Sequence, residues 1–284
     1  MLGSLRKRRL QQIRLCARVA NRVGRSRPGR LCIQALHDSR ATRALVNGVL
    51  GFHKPFASIS EAQRSIDAYA KEGHECIHNV LWHLGTSEAL FLCDYPALFH
   101  LRCKLHLINT AFDLGGNAGN VFYRYDRYLH FPPGFVWTVC DLPRNAAYGE
   151  TYARDRQERR LRFTTRPEGV DGSDLFLASG SLHYFERPLD ILSAAARKPR
   201  FLLINRTPLT DGEPYAVVQD AGCWMVACAV HNRRMIYGGL QDLGYEVLDE
   251  WSTAEFQINV AGCPALNVPR YSGFFAALRD GDTG

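Results

Sequence analysis

From Leu107 onward, short apolar runs recur every 20–30 residues with helix-like stretches between most of them. Strands are expected near 107–112, 135–140, 161–164, 174–179, 200–205, 245–250 and 271–277. Helices are expected at about 118–129, 144–156, 188–197 and 231–243. This alternation leaves little freedom. Two strands joined through a helix cannot form a tight hairpin, so they run parallel, and the helices cover both faces of one sheet. The expected fold class is α/β, a Rossmann-like sheet. In such sheets ligands bind beyond the carboxyl ends of the strands, where the strand order changes direction. The residue that closes each strand is therefore a functional candidate.

The first strand end is the most informative. Residues 109–120 read Asn-Thr-Ala-Phe-Asp-Leu-Gly-Gly-Asn-Ala-Gly-Asn, so Asp113 is followed at once by Gly115, Gly116 and Gly119. Glycines let the backbone turn sharply and approach a ligand, and the following helix offers free N–H groups. Asp113 lies two residues before the first glycine, inside the turn, where it would repel the pyrophosphate of a dinucleotide. A ligand with a cationic amine suits it. S-adenosylmethionine has such an amine and a sulfonium, and no phosphate.

The other strand ends add polar groups. Phe135-Val-Trp-Thr-Val-Cys ends in Asp141, 22 residues after Gly119, and Leu142 follows. An acid at that distance accepts hydrogen bonds from ribose hydroxyls; capping the next helix is its alternative role. The fourth strand runs through Ser179 into Gly180-Ser-Leu-His183-Tyr184, then Arg187-Pro188. His183 is expected on the loop over the reaction centre, where a neutral imidazole takes a proton from a hydroxyl or amine; a structural hydrogen bond is the alternative. The fifth ends in Asn205-Arg206-Thr207-Pro208. Arg206 suits a substrate carboxylate or phosphate held by paired hydrogen bonds, or a protein carboxylate.

Charge divides the chain. The net charge is +7, yet ten Lys/Arg lie between Arg6 and Arg30 and no acid precedes Asp38. Setting those ten aside leaves 25 basic against 28 acidic residues, so the body is about −3. Within the arm, Leu2, Leu5, Leu10, Ile13, Ala17, Ala20 and Val23 recur at helical spacing with Arg between them. Residues 1–37 thus read as a partly disordered basic amphipathic arm suited to an anionic membrane surface or an acidic partner. Arg14 and Arg18 interrupt the apolar core a secretory signal needs, while a mitochondrial presequence shares the composition. The expected location is the cytoplasm, with peripheral contact at the inner membrane. Nucleic acid is not an expected partner, because the body is near neutral and the arm lacks interleaved aromatics.

Residues 38–105 read as a helical region packing on the core, and 106–284 as the ligand-binding domain. Ser58-Ile-Ser-Glu61 has the form of a capping box opening a helix to about Tyr69. Residues 74–105 read as further helix, with Pro96 able to start a fresh one. The nine cysteines include no Cys-x-x-Cys, which argues for reduced thiols rather than a disulfide scaffold. Cys223, Cys228 and His231 match no standard zinc spacing, so no metal is expected.

These strand ends together resemble the class I S-adenosylmethionine-dependent methyltransferases. More narrowly, Phe112-Asp-Leu-Gly-Gly-Asn-Ala-Gly119, Ala178-Ser-Gly-Ser-Leu-His-Tyr184 and Ile204-Asn-Arg-Thr-Pro208 resemble a methyltransferase family associated with bacterial surface-polysaccharide (O-antigen) gene clusters. Asp211-Gly-Glu213, Val218-Gln219 and Tyr271-Ser-Gly-Phe-Phe275 extend the likeness over about residues 52–278. The resemblance implies a seven-stranded sheet whose last strand is antiparallel, with S-adenosylmethionine in the turn after the first strand. It implies that Asp113, Gly115, Gly116 and Gly119 contact the methionine part and Asp141 the ribose, that Asn117 and Leu142 also bind the cofactor, and that Ser179 and Gly180 lie beside it. Asn117 departs from the wider class, standing where Gly-x-Gly-x-Gly has its middle glycine. The expected activity is methyl transfer to a hydroxyl or amine of a small polar or sugar-like acceptor, with Tyr184 and Arg206 binding the acceptor and His183 as base. The alternatives are an NAD-linked oxidoreductase, disfavoured by Asp113 and by the lack of a Tyr-x-x-x-Lys pair, and a non-catalytic binding module.

Overall fold

The computed structural model describes residues 26–39, 42, 55–67, 73–220, 224–260 and 263–279. The expected basic helix over residues 2–23 lies outside them. Among the described residues, four α-helices precede the sheet: α1 (Arg27–Asp38), α2 (Ile59–Ile66), α3 (Ile77–Thr86) and α4 (Asp94–Lys104). The capping box forms as read. Glu61 N–H donates to Ser58 Oγ at 3.1 Å, and Glu61 Oε2 accepts from Ala57 N at 2.9 Å. The helix ends at Ile66, short of the expected Tyr69. Residues 74–105 divide into two helices, because Asp94 opens α4 by accepting from Phe91 N. Pro96 falls in the first turn of α4, where its missing N–H costs nothing.

The alternating part contains β1 (Thr110–Leu114), α5 (Asn120–Leu129), β2 (Val136–Cys140), α6 (Pro143–Asp155), β3 (Leu161–Thr164) and β4 (Leu175–Ser179). It continues with α7 (Asp190–Ser193), β5 (Phe201–Thr207), β6 (Leu209–Thr210), β7 (Tyr215–Asp220), β8 (Met225–Asn232), α8 (Arg233–Asp242), β9 (Tyr245–Thr253) and β10 (Tyr271–Leu278). Seven strands form one sheet in the order β3-β2-β1-β4-β5-β10-β9. β10 is antiparallel to both neighbours, while the pairs from β3 to β5 are parallel. The sheet is the expected one, with its last strand reversed.

Both faces are buried. Trp137, Phe122, Tyr125, Leu101 and Phe275 fill one layer under α4, α5 and α6. Phe112, Phe176, Leu202, Phe274 and Leu240 fill the other, beneath α7 and α8. Strands buried on both sides read as continuous apolar runs, and that signal had marked them in the sequence.

Two features differ from expectation. The helix expected over 188–197 is a single turn, Asp190–Ser193. A second sheet, ordered β6-β8-β7, stands between β5 and α8 and was not foreseen. Its β7–β8 pair packs Val218, Met225 and Ala227 on Ala62 and Ile66 of α2, so α2 rests on this small sheet. Among the described residues no helix is long and apolar enough to cross a membrane.

Candidate functional site

The sheet brings the predicted strand ends together on one edge. Leu114 is in register with Cys140, and Ser179 with Asn205. β1 lies between β2 and β4, so the chain leaves β1 in one direction and later returns on its other side. That is the switch point where the turn after β1 opens.

The turn is built as its glycines suggested. Gly115 and Gly119 have φ of +69° and +83°, and Asn117 has φ of 53°. Asparagine tolerates this left-handed region, which explains how it replaces a glycine; its Oδ1 accepts from Ala118 N at 2.9 Å. Gly116 is required for another reason. A Cβ there would stand 2.3 Å from Asp113 Oδ2.

Asp113 is 1% exposed beneath this turn. Its Oδ2 accepts from Trp137 Nε1 at 3.1 Å, whereas Oδ1 is buried with no partner. Burial raises its pKa from 3.8 to about 7, against the lowering effect of the Trp137 hydrogen bond. A buried acceptor without a donor is costly, and at the mouth of a glycine turn it fits a cationic or N–H-bearing ligand group.

Asp141 is more committed to the protein than its sequence position implied. Oδ2 accepts from Asn117 N at 2.7 Å, and Oδ1 from Leu142 N at 2.8 Å and Asn145 Nδ2 at 2.7 Å. It tethers the glycine turn and holds Leu142 and Asn145 at the start of α6 without capping the helix, whose N-cap is Leu142 and whose Arg144 N–H donates to Glu75 instead. Two oxygens accept up to four hydrogen bonds, so one acceptor position remains. Leu142 is the N-cap of α6 and is exposed.

Ser179 ends β4 and holds Arg206, and Gly180 follows it. Ser179 Oγ and its carbonyl accept from Arg206 Nε (3.1 Å) and Nη2 (2.9 Å). Gly180 has φ of +80°, and its N–H donates to the Asn205 carbonyl at 2.8 Å. Arg206 itself is 6% exposed with φ of 55°. A bulky residue in this region is a strained outlier, held here by its neighbours.

His183 lies in the short turn Leu182–Tyr184 and is buried, not on an open loop as expected. Its ring is 4.2 Å from that of Tyr184 and 6.0 Å from that of Tyr271. Desolvation lowers its pKa to about 3, and the nearby His231, His74 and Arg206 add to the effect. The imidazole is neutral at physiological pH, with Nδ1 unpartnered. Tyr184 OH donates to Gln219 Oε1 of β7 at 3.0 Å, so the unforeseen small sheet forms one wall.

Several residues here were missed. His74 stacks edge-on against Tyr184 at 4.1 Å, and burial lowers its pKa to about 4. His83 of α3 is lowered to about 3, chiefly by burial and then by the Arg206 charge. Asp94 accepts from Arg124, Tyr125, Asn205 and Phe91 N, binding α4, α5 and β5 together behind the site. Nothing local marks these residues in the sequence, because each partner lies far along the chain. Cys228 is buried inside β8, and among the described residues no group of His, Cys, Asp or Glu is arranged to hold a metal.

The fold and its edge thus define an α/β protein whose glycine turn after β1 lies at the switch point of the sheet. No family model and no curated protein matches the sequence. Among solved structures, the chain is similar to 1,6-didemethyltoxoflavin-N1-methyltransferase from Burkholderia thailandensis, solved with 1,6-didemethyltoxoflavin and S-adenosylhomocysteine. The identity is 19%, the match covers 80% of this chain and 92% of that one, and the TM-score is 0.49. It is also similar to an O-methyltransferase family protein from the same organism (17% identity; 81% and 65% covered; TM-score 0.47). A third is an S-adenosylmethionine-dependent methyltransferase from Clostridium acetobutylicum (11% identity; 71% and 99% covered; TM-score 0.46).

Proposed function

We propose that the chain is an S-adenosylmethionine-dependent methyltransferase acting on a hydroxyl or amine of a small polar or sugar-like acceptor. The observation that carries this reading is the lone buried Oδ1 of Asp113 beneath a left-handed glycine turn at the switch point. An amine satisfies that oxygen, and a pyrophosphate would be repelled by it. The motifs that resemble those of the polysaccharide-associated methyltransferases support the same choice and suggest a role in surface-polysaccharide synthesis.

When bound, S-adenosylmethionine supplies a methyl group on a positively charged sulfur. Asp113 would hold its amine, the backbone of Gly115, Gly116, Asn117 and Gly119 its methionine part, and the remaining acceptor position of Asp141 its ribose. Leu142, Ser179 and Gly180 flank that place. The chain's own contribution is mainly positioning, which is worth up to ~7–11 kcal/mol when two reactants are well oriented. His183, held neutral, accepts the acceptor's hydroxyl or amine hydrogen at Nδ1 and orients its lone pair. Tyr184 shapes the same wall. The basic arm would rest on an anionic membrane surface.

Isothermal titration of the purified protein with S-adenosylmethionine tests this assignment. Binding is expected, with loss in Asp113→Ala and in Gly115→Val. Unchanged affinity in both variants refutes the site.

A further inference from the structure

Arg206 is a buried cation with no counter-charge paired to it among the described residues. Two of its N–H groups, on Nε and Nη2, are used by Ser179. These lie on one side of the guanidinium and leave the Nη1–Nη2 fork unused. Among the described residues no carboxylate pairs with Arg206. Arg124, buried nearby, shows the usual solution, an ion pair to Asp94 at 3.1 Å. Asp94 cannot also serve Arg206, because four donors already occupy its oxygens.

The Arg206 guanidinium packs against aromatic rings, and it is close enough to Arg124 and Asp113 for its charge to act on both. The rings of Phe91 and Phe256 lie 5.5 and 5.8 Å from the guanidinium carbon. His83 and His183 are close enough for the Arg206 charge to oppose their protonation. Both leave Nδ1 buried without a partner, and His74 leaves Nε2 so. His74 packs 4.1 Å from Tyr184 and 5.4 Å from Trp224. Thus the N-terminal helical region lines the site as well as packing on the core. Isolating a guanidinium this way is costly, and an anion received on its open fork offsets that cost. The two parallel donors match the two oxygens of a carboxylate.

We propose that the acceptor is an acid whose carboxylate is held bidentately by the Nη1–Nη2 fork of Arg206, with His74 and His83 of the N-terminal region hydrogen-bonding its polar body. Calling this ligand the acceptor rests on the methyltransferase reading; the anion site does not. A phosphoryl group offers similar oxygens, and the test separates the two.

The full chain is titrated by calorimetry with benzoate, benzamide and inorganic phosphate at matched ionic strength, with and without S-adenosylhomocysteine. Benzoate is expected to bind and its neutral isostere benzamide is not. Arg206→Gln should weaken benzoate binding by about tenfold to a hundredfold, as expected for losing hydrogen bonds from a charged donor. Should that variant fail to fold, His74→Gln, outside the main sheet, should weaken benzoate binding about fivefold, the scale of one ordinary hydrogen bond. Phosphate binding in place of benzoate assigns the oxyanion to a phosphoryl group. Equal binding of benzoate and benzamide, no binding of either anion, or undiminished benzoate affinity in a folded variant overturns the proposal. Anion binding without any S-adenosylhomocysteine binding leaves the anion site standing and removes the methyltransferase reading.

Discussion

Replacing Asp113 by Asn separates what this residue costs the fold from what it gives a ligand. Burial raises the folded-state pKa from 3.8 to about 7. Between those values the folded chain keeps a proton that the unfolded chain has lost. The associated stability is fully present below about pH 3.8 and is lost as pH rises to about 7. A gap of roughly three units is about 4 kcal/mol at 1.36 kcal/mol per unit. The amide still accepts from Trp137 Nε1 but places an NH2 where Oδ1 has no partner, at a cost of about 1–3 kcal/mol. Asp113→Asn should therefore stabilise the ligand-free protein at pH 8 by about 1–3 kcal/mol, or about 2–10 °C in Tm. At pH 4 the advantage should vanish, because the wild-type carboxyl is protonated there too. Thermal unfolding by circular dichroism at both pH values gives the comparison, and S-adenosylhomocysteine titration gives the loss of binding. A variant less stable than wild type at pH 8, or one that binds the ligand equally well, refutes the reasoning.

Two further outcomes follow from other parts of the structure, and a third from the sequence of the basic arm. Asp94→Ala leaves Arg124 buried and unpaired and removes acceptors from Tyr125 and Asn205; a loss of about 3–5 kcal/mol in urea unfolding is expected, and a loss under 1 kcal/mol would contradict that network. Gly149→Ala puts a Cβ 2.1 Å from a Phe163 ring carbon; it should cost about 1–3 kcal/mol by overpacking α6 against β3 and leave ligand affinity intact, as calorimetry would show. The basic arm should bind anionic vesicles in low salt and release them near 1 M, where the Debye length is about 3 Å; salt-insensitive co-sedimentation would contradict an electrostatic arm.

The sheet was legible because its central strands β1, β4 and β5 are buried apolar runs, and helices separate most of the strands. The glycine turn was legible because a left-handed backbone leaves a local trace in Gly115 and Gly119. Asn117 satisfied the same demand with a different residue. The β7–β8 pair was missed, although Met225-Val-Ala-Cys-Ala-Val230 is a continuous apolar run of strand length. Only its position, beside a helix already expected at 231, obscured it. The cap histidines and Asp94 left no such trace. Asp94 meets Arg124 thirty residues away and Asn205 111 residues away, and composition does not encode pairing across such distances. His183 was found by position, but its burial depends on Tyr184, Tyr271 and the small sheet, which only the folded chain assembles.

Equilibrium dialysis with S-adenosylmethionine labelled on its methyl group tests the central claim most directly. Saturable binding of one ligand per chain is predicted, displaced by S-adenosylhomocysteine and not by NADH. Absence of binding, or displacement by NADH, would contradict the account.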